Sequence, residues 1–177
     1  VMRGWPDGCV DMILTDPPYD NVPPWNELRR LAKGNIVVFT DSSHLLVNAD
    51  EHLFWIKPLS TKNYTKRCGR FVEVISVMKR GDIFNQLRWS HMTGVFYDSL
   101  LYPSRHPFEK PEGLIEKLML IYSNPKDVIF DPYMGSGTTC AVARRLGRQF
   151  IGIEMEKQYF DLATDRLVSK FIAVDEL

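Results

Sequence analysis

Short apolar runs recur along the chain, separated by turn residues or by segments with helical spacing. The runs that predict strands are residues 12–14, 35–41, 53–58, 71–77, 128–130 and 150–153. Helical spacing follows Pro111, a short helix is expected to end at Gly34, and residues 140–146 form a helix that Gly147 caps. Strands that alternate with helices predict an α/β fold with a mostly parallel sheet.

A glycine-rich turn follows the apolar run Val128–Phe130. Residues 131–139 read DPYMGSGTT, and a helix and a strand ending in Glu154 come next. Gly135 and Gly137 permit a tight turn and close backbone approach to a ligand, and an acid about 20 residues further on can accept hydrogen bonds from ribose hydroxyls. This pattern predicts the mononucleotide-binding half of a Rossmann-like unit. An ordinary strand–helix–strand unit with a glycine turn is the alternative.

The segment Asp16-Pro17-Pro18-Tyr19 follows the first predicted strand, at the end where ligands bind in open α/β sheets. The two prolines remove two N–H donors, so the backbone carbonyls there must find other donors. An acid, a free carbonyl and an aromatic ring therefore meet at one place. This set suits a flat molecule with an amino group, whose hydrogens the oxygens accept while the ring stacks. Alternatively, Asp16 caps a turn, the prolines end the strand and Tyr19 packs.

A third motif, His106-Pro107-Phe108-Glu109-Lys110-Pro111-Glu112, precedes a predicted helix. Proline is favoured in the first turn of a helix, so Lys110 is expected just outside the helix N-terminus. We expect this lysine to face a carboxylate. A solvated lysine at the end of a loop is the alternative.

Along the chain the order of the motifs is Asp16–Tyr19, then His106–Glu112, then the glycine-rich turn at residues 131–139. In this order they resemble the motifs of the S-adenosylmethionine-dependent DNA methyltransferases that modify exocyclic amino groups. More narrowly, they resemble the β group of that family, which includes many restriction-modification enzymes, and the resemblance covers nearly the whole chain. It implies a Rossmann-like methyltransferase sandwich, with a mostly parallel sheet and a circularly permuted motif order. It also implies a single domain over residues 1–177, with a short target-recognition insertion at about residues 81–105.

The resemblance also implies a mechanism. Asp16 and the Pro17 carbonyl accept the hydrogens of the target amino group, and Tyr19 stacks on a base flipped out of the DNA. The methyl group then passes directly, in line, from S-adenosylmethionine. The implied catalytic residues are Asp16, Pro17, Pro18 and Tyr19, and the implied cofactor-binding residues are Asp131, Tyr133, Gly135, Ser136, Gly137, Thr138, Glu154, Lys110, His106 and Thr40.

Several functions remain open at this point. An aspartate at position 16 favours N6 of adenine as a tendency of the family, and N4 of cytosine is the alternative. A non-catalytic domain of the same fold that binds DNA or the cofactor is a second alternative. A nucleotide-binding oxidoreductase would explain the glycine turn alone, but neither Asp16–Tyr19 nor His106–Pro111.

Composition adds constraints on partners. Hydrophobic residues make up 45% of the chain, charged residues 25%, and the formal net charge is zero. DNA binding therefore requires a local basic face, and the segment from Lys57 to Arg80 holds seven basic residues and one acid, Glu73. The cysteines lack paired spacing, so we expect no metal site and no disulfide framework. We expect DNA and S-adenosylmethionine as partners, a homodimer, no membrane association and a cytoplasmic location.

The N-terminal segment departs from the family pattern. Only Val1–Gly8 precede the first predicted strand, whereas the family has a further strand and a short helix there that shape the cofactor's adenine pocket. We expect a trimmed enzyme with a weaker or partner-completed adenine pocket. The alternatives are that the chain begins internally, or that Phe171–Val174 replaces the missing strand and helix.

Overall fold

The computed structural model describes residues 2–18, 23–40, 46, 48–57, 72–80, 94–99 and 109–172, with residues 169–172 described by their backbone only. The described strands are β1 (Met12–Thr15), β2 (Ile36–Thr40), β3 (Glu51–Ile56), β4 (Val72–Met78), β5 (Val95–Phe96), β6 (Val128–Asp131) and β7 (Gln149–Gly152). The described helices are α1 (Trp25–Leu31), α2 (Glu112–Tyr122), α3 (Thr138–Arg145) and α4 (Lys157–Ile172), and a 3-10 turn covers Met2–Gly4.

The strands form one sheet in the order β5-β3-β4-β2-β1-β6-β7. Strand β1 pairs in parallel with β2 and β6, and the β6–β7 and β3–β5 pairs are also parallel. Among the described strands, only β4 runs against its neighbours β2 and β3. The prediction of a mostly parallel α/β sheet is therefore confirmed. The chain leaves β1 toward one edge and returns at β6 on its other side, so the order reverses between β1 and β6, where such sheets bind ligands.

Helices cover both faces of the central strands, which explains why β1 and β2 are mostly apolar and buried at every position. Met12 and Leu14 pack into the face covered by α2 and α3. Ile13 packs into the opposite face, covered by α1. The sheet is thus held rigidly at the strand ends that carry the motifs.

The predicted elements differ from the observed ones mainly at their ends. Gly147 follows α3 with a φ of 69°, as a C-capping glycine does. Helix α4 extends through Ile172, so a replacement strand that includes Phe171 and Ile172 is wrong. Within α4, Ala163 and Leu167 pack with Met134, Cys140 and Phe150. No helix in the described part of the chain has the length and apolar character needed to cross a membrane.

Much of the expected recognition region lies outside the described residues, as do Tyr19 and His106. Within residues 94–99, β5 adds to the edge of the sheet beside β3. The Phe96 ring is buried there, whereas Tyr97 is 73% exposed. Phe96 therefore contributes to the core, and Tyr97 faces solvent.

Candidate active site

The carboxyl ends of β1 and β6 bring the first and last motifs together. The hydroxyl of Thr15 donates a buried hydrogen bond of 2.7 Å to Oδ1 of Asp131, across 116 positions of the sequence. Asp16 follows Thr15, Pro17 is buried and Pro18 is exposed. The start of the proline motif thus lies beside the start of the glycine turn, as the sequence predicts for a ligand site.

Asp131 is a buried acid with only neutral donors around it. Its Oδ1 accepts from Thr15 and, at 3.1 Å, from the backbone N–H of Tyr133. Burial raises the pKa of Asp131 from 3.8 to about 6, although its hydrogen bonds oppose that shift. Among the described residues, no cation pairs with this carboxyl. A positively charged ligand group beside it would favour its ionised form.

The carboxylate of Glu154 accepts hydrogen bonds from the backbone of the glycine turn and of the segment before α4. Oε2 of Glu154 accepts from the Gly135 N–H at 3.0 Å, and its Oε1 accepts from the Glu156 N–H at 2.9 Å. Gly137 is the N-cap of α3 with a φ of 75°, and a Cβ built on it would lie 2.9 Å from the Cβ of Ala163. Glycine is thus required at position 137 both by its backbone conformation and by the close approach of α4.

Arg166 of α4 connects the glycine turn to the segment that carries Lys110. Its Nη1 donates to Thr138 Oγ1 at 2.9 Å, to the Ser136 carbonyl at 3.3 Å and to Glu109 Oε1 at 2.8 Å. Its Nη2 donates to Glu112 Oε1 at 2.7 Å. Arg166 is only 4% exposed. One guanidinium thus fixes the position of the turn, of the residue before Lys110 and of the start of α2.

Lys110 points at Asp16. Its Nζ donates to Asp16 Oδ2 at 2.6 Å, and it lies 3.1 Å from Oε2 of Glu73 on β4. Burial raises the pKa of Asp16, which Lys110 partly opposes and Glu73 reinforces. For Lys110, burial acts to lower the pKa, but the two carboxylates together outweigh it and raise the pKa. The ammonium also lies 5.0 Å from the centre of the Phe39 ring, so it has a mixed ionic and aromatic environment.

Two of the predicted site residues have other partners. Thr40 is buried at the end of β2, where its hydroxyl lies 3.3 Å from Ser76 Oγ and donates to the Val74 carbonyl at 3.4 Å. Its side chain is therefore engaged by β4. Lys110 lies just outside α2, as expected, and the carboxylate that it faces is Asp16. The other described members of the predicted cofactor set, Asp131, Tyr133, Gly135, Ser136, Gly137, Thr138 and Glu154, lie together around the turn after β6.

Sequence reasoning missed three residues of this site: Thr15, Glu73 and Arg166. A signal existed for Glu73, because it is a lone acid in the β-branched strand β4 and is 8% exposed. The basic segment around it is divided in the structure. Lys57 pairs with Glu73 itself, whereas Lys79 pairs with Glu51 and Arg80 donates to carbonyls at the end of α1. The remaining four of its seven basic residues, those between residues 58 and 71, lie outside the described part.

Metal ligation has no support within the described residues, where no group of three or more His, Cys, Asp or Glu side chains is placed to hold an ion. Cys140 is buried beside Asp131, and burial raises the pKa of its thiol. A thiol held in its neutral form is a poor nucleophile and a poor metal ligand.

Comparison with known proteins identifies the class. Residues 76–165 match the family model of N6 and N4 methyltransferases described as DNA methylase. The solved structure of the M1.HpyAVI complex with S-adenosylmethionine superimposes with a TM-score of 0.74 at 31% identity, over 89% of each chain. The PvuII DNA methyltransferase, described as cytosine-N4-specific, superimposes with a TM-score of 0.74 over 93% of this chain and 82% of its own, but at 17% identity, which is a likeness of fold.

The chain therefore belongs to the N6/N4 DNA methylase family, and the predicted resemblance is confirmed. The cofactor of this family is S-adenosylmethionine. Among curated relatives, the type II methyltransferase M2.DpnII of Streptococcus pneumoniae is 50% identical over 66 residues, which are 37% of this chain and 25% of the relative. The match with that relative thus spans about a quarter of its length.

Proposed function

We propose that this protein transfers the methyl group of S-adenosylmethionine to the exocyclic N6 of adenine in DNA. The observation that supports this most directly is the position of Asp16. Asp16 directly follows β1, beside the glycine turn. The residue before it, Thr15, donates a hydrogen bond to the buried Asp131 at the start of that turn. An acceptor for an amino group and a turn suited to a nucleoside-like cofactor thus lie side by side.

The turn after β6 fits S-adenosylmethionine in charge and shape. Asp131 is an acid without a cationic partner among the described residues, which suits the positively charged amino end of the cofactor. Gly135 and Gly137 leave room for the methionine part, and Glu154 lies where ribose hydroxyls can share its carboxylate. When bound, the cofactor supplies a methyl group attached to a positively charged sulfonium sulfur. This sulfur is a good leaving group, so the transfer needs no metal.

Asp16 activates the target nitrogen. The lone pair of an exocyclic amino group is delocalised into the base, so the nitrogen is a weak nucleophile. Asp16 and the Pro17 carbonyl accept its hydrogens, which favours a pyramidal nitrogen with its lone pair directed at the methyl group. In an in-line transfer the nitrogen–methyl bond would form as the methyl–sulfur bond breaks, the sulfur would leave as the neutral thioether S-adenosylhomocysteine, and the nitrogen would release one proton to water. The catalytic contribution of the protein is mainly positioning and electrostatics. Tyr19 stacks on the base, which leaves the duplex to reach the site.

Adenine is the proposed base because position 16 is an aspartate. Both bases carry an amino group on a carbon beside a ring nitrogen, so the chemistry of Asp16 serves either one. Cytosine N4 therefore remains the second candidate, and the fold likeness to a cytosine-N4-specific enzyme is compatible with it. DNA contacts are assigned to the basic segment that begins at Lys57, and a homodimer is part of the proposal.

The test is a product analysis. The purified protein is incubated with isotope-labelled S-adenosylmethionine and mixed-sequence duplex DNA, and the DNA is digested to nucleosides for mass spectrometry. We expect labelled N6-methyladenine, which Asp16→Asn abolishes while cofactor binding measured by calorimetry persists. Asp7→Asn, at a side chain 81% exposed and remote from the site, is the matched control and keeps full activity.

Other products of this experiment discriminate the alternatives. Labelled N4-methylcytosine would keep the mechanism and overturn the base. Cofactor binding without any labelled nucleoside would favour a non-catalytic binding domain. Stabilisation by a nicotinamide cofactor, with none by S-adenosylmethionine, would favour an oxidoreductase and reject the proposal.

A further inference from the structure

Four charged side chains of alternating sign form a chain that ends at the proposed catalytic acid. In order they are Lys57 at the end of β3, Glu73 on β4, Lys110 before α2, and Asp16 after β1. The outer members are the more accessible ones, with side-chain exposures of 33% for Lys57 and 23% for Asp16. The inner pair is buried, at 11% for Glu73 and 9% for Lys110. The four residues lie on different elements and are distant along the chain, so only the fold brings them together.

Lys110 is shared unequally between two carboxylates. Its hydrogen bond goes to Asp16 Oδ2 at 2.6 Å. Oε2 of Glu73 is 3.1 Å from the same Nζ, so it is also ion-paired with Lys110, but at the longer distance. It is buried, and no described residue other than Lys110 is placed to donate to it. A buried carboxylate oxygen is stabilised by a closer donor. Glu73 is thus a second acceptor directly beside the ammonium.

The bond from Lys110 weakens Asp16 as an acceptor for the reaction. It occupies Oδ2 and draws negative charge toward the ammonium, so the target amino group meets a less basic carboxylate with one oxygen already engaged. A lysine buried at this depth cannot release a partner without another, because an unpaired buried charge is strongly destabilising. A second carboxylate within reach of the ammonium removes that obstacle.

We propose that Glu73 is a positioning residue for methyl transfer, which takes over the hydrogen bond of Lys110 when the target amino group reaches Asp16. This inference rests on the proposed function of Asp16. The shift moves no proton and changes no charge: Lys110 stays an ammonium and exchanges Asp16 Oδ2 for Glu73 Oε2. Lys57, paired with Oε1 of Glu73, holds the carboxylate in place from the other side.

Glu73→Gln tests this with little change of shape. Without the charge, Lys110 remains on Asp16, so we expect kcat to fall about tenfold or more, with KM for S-adenosylmethionine within about twofold. The matched control is Glu51→Gln, an acid of β3 that pairs with Lys79 at 2.7 Å and lies outside the site. A kcat for Glu73→Gln equal to that of Glu51→Gln would overturn the proposal.

The pH dependence separates positioning from simple support of the fold. The charged groups around Asp16 are Lys110, Glu73, Lys57 and Asp131, and the charge of Glu73 raises the pKa of Asp16. Asp16 acts as an acceptor when ionised, so kcat is lost as pH falls through its pKa. Glu73→Gln should therefore move the acidic limb of the kcat profile to lower pH. A limb that stays in place, in a folded variant, contradicts the proposal.

A second measurement does not depend on catalysis. The Asp16 carboxyl carbon, assigned by NMR with Asp16→Asn, is titrated in the cofactor-free protein. Its midpoint should fall in Glu73→Gln and stay unchanged in Glu51→Gln. If the wild type methylates no DNA, the proposed function fails, yet this titration still reports whether the carboxylates share Lys110. An unmoved midpoint overturns the sharing, and with it the inference.

Glu73→Asp covers the case in which the glutamine variant does not fold. It keeps the charge but withdraws it by one methylene from Lys110. We expect kcat between the wild-type and glutamine values, with the acidic limb near its wild-type position. Full wild-type kcat in this variant would show that the reach of Glu73 to Lys110 is unimportant, which contradicts the proposal.

Discussion

Thr15 donates its hydroxyl hydrogen to Asp131 over 2.7 Å, although 116 positions separate the two residues. The bond joins the strand end that carries the proposed catalytic acid to the strand end that carries the glycine turn, the proposed cofactor site. Because β1 and β6 are neighbours only through the reversal of strand order, the fold itself creates this contact. Both acids of the site, Asp16 and Asp131, are thus fixed relative to each other before any ligand binds.

Thr15→Val removes this donor at nearly constant volume. The hydrogen bond from Thr15 opposes the rise of the Asp131 pKa, so its loss should raise that pKa above about 6. Cofactor binding that needs ionised Asp131 should then weaken at a higher pH than in the wild type. Calorimetric Kd values for S-adenosylmethionine across pH measure this. Thr164→Val, which removes the hydroxyl that donates to Phe160 on α4, is the control and should leave the profile in place.

Asp131→Asn should stabilise the protein while it weakens cofactor binding. The folded-state pKa of Asp131 is raised from 3.8 to about 6, so the folded protein binds this proton more tightly than the unfolded chain does. The associated stability is present at low pH and is lost as pH rises from 3.8 to about 6. Above that range the ionised group is unfavourable, by at most about 3 kcal/mol.

Urea unfolding at about pH 8 and about pH 5 checks this prediction, with an expected gain of about 1–2 kcal/mol at the higher pH and less at the lower one. Asp7→Asn, at an exposed side chain, is the control and should change neither value. An Asp131→Asn variant that is less stable than the wild type at both pH values would show that the carboxylate's hydrogen bonds outweigh its desolvation.

Arg166→Met should remove the hydrogen bonds that link the glycine turn to the segment that carries Lys110. The substitution leaves the buried Glu109 without its 2.8 Å partner and the Ser136 carbonyl without a donor. Breaking a buried ion pair from one side costs about 3–5 kcal/mol, so the free energy of unfolding should fall by that order. The affinity for S-adenosylmethionine should fall as well, because the turn loses its fixed position.

The control for Arg166 lies on the same helix. Lys157→Met removes an exposed pair with Asp161 at 2.6 Å, and such pairs contribute less than about 1 kcal/mol. Chemical denaturation and calorimetry on both variants separate the two effects. Equal stability losses in Arg166→Met and Lys157→Met would show that Arg166 does not support the turn.

Local signals explain what could be predicted from the sequence. The apolar run at Met12–Leu14, the glycines at 135 and 137 and the capping Gly147 each depend on backbone geometry within a few residues. Pro111 likewise predicts the start of a helix, which it precedes as the N-cap of α2, and so predicts that Lys110 lies just outside that helix. These features are set by neighbours along the chain, so a single sequence reveals them.

Long-range pairs explain what could not be predicted. The partner of Lys110 is Asp16, 94 positions away, and the partner of Arg166 is Glu109, 57 positions away. A charged residue in a sequence does not indicate which opposite charge the fold will bring to it. The hydroxyl of Thr40 shows the same limit, because the family resemblance implies a cofactor contact at this position but does not indicate its neighbours Val74 and Ser76 on β4.

Gly137→Ala separates the two requirements for glycine at this position. A left-handed φ of 75° strains any Cβ, and here the Cβ would also approach the Cβ of Ala163 to 2.9 Å. Gly147→Ala is the matched control, since its φ is 69° but nothing lies within 4 Å of the added Cβ. We expect the control to lose about 1–2 kcal/mol of unfolding free energy and Gly137→Ala to lose more, together with affinity for S-adenosylmethionine. Ala163→Gly should restore part of the additional loss when combined with Gly137→Ala, because it removes the colliding methyl group. Additive losses in the double variant, measured by urea unfolding, would show that the α4 contact does not constrain the turn.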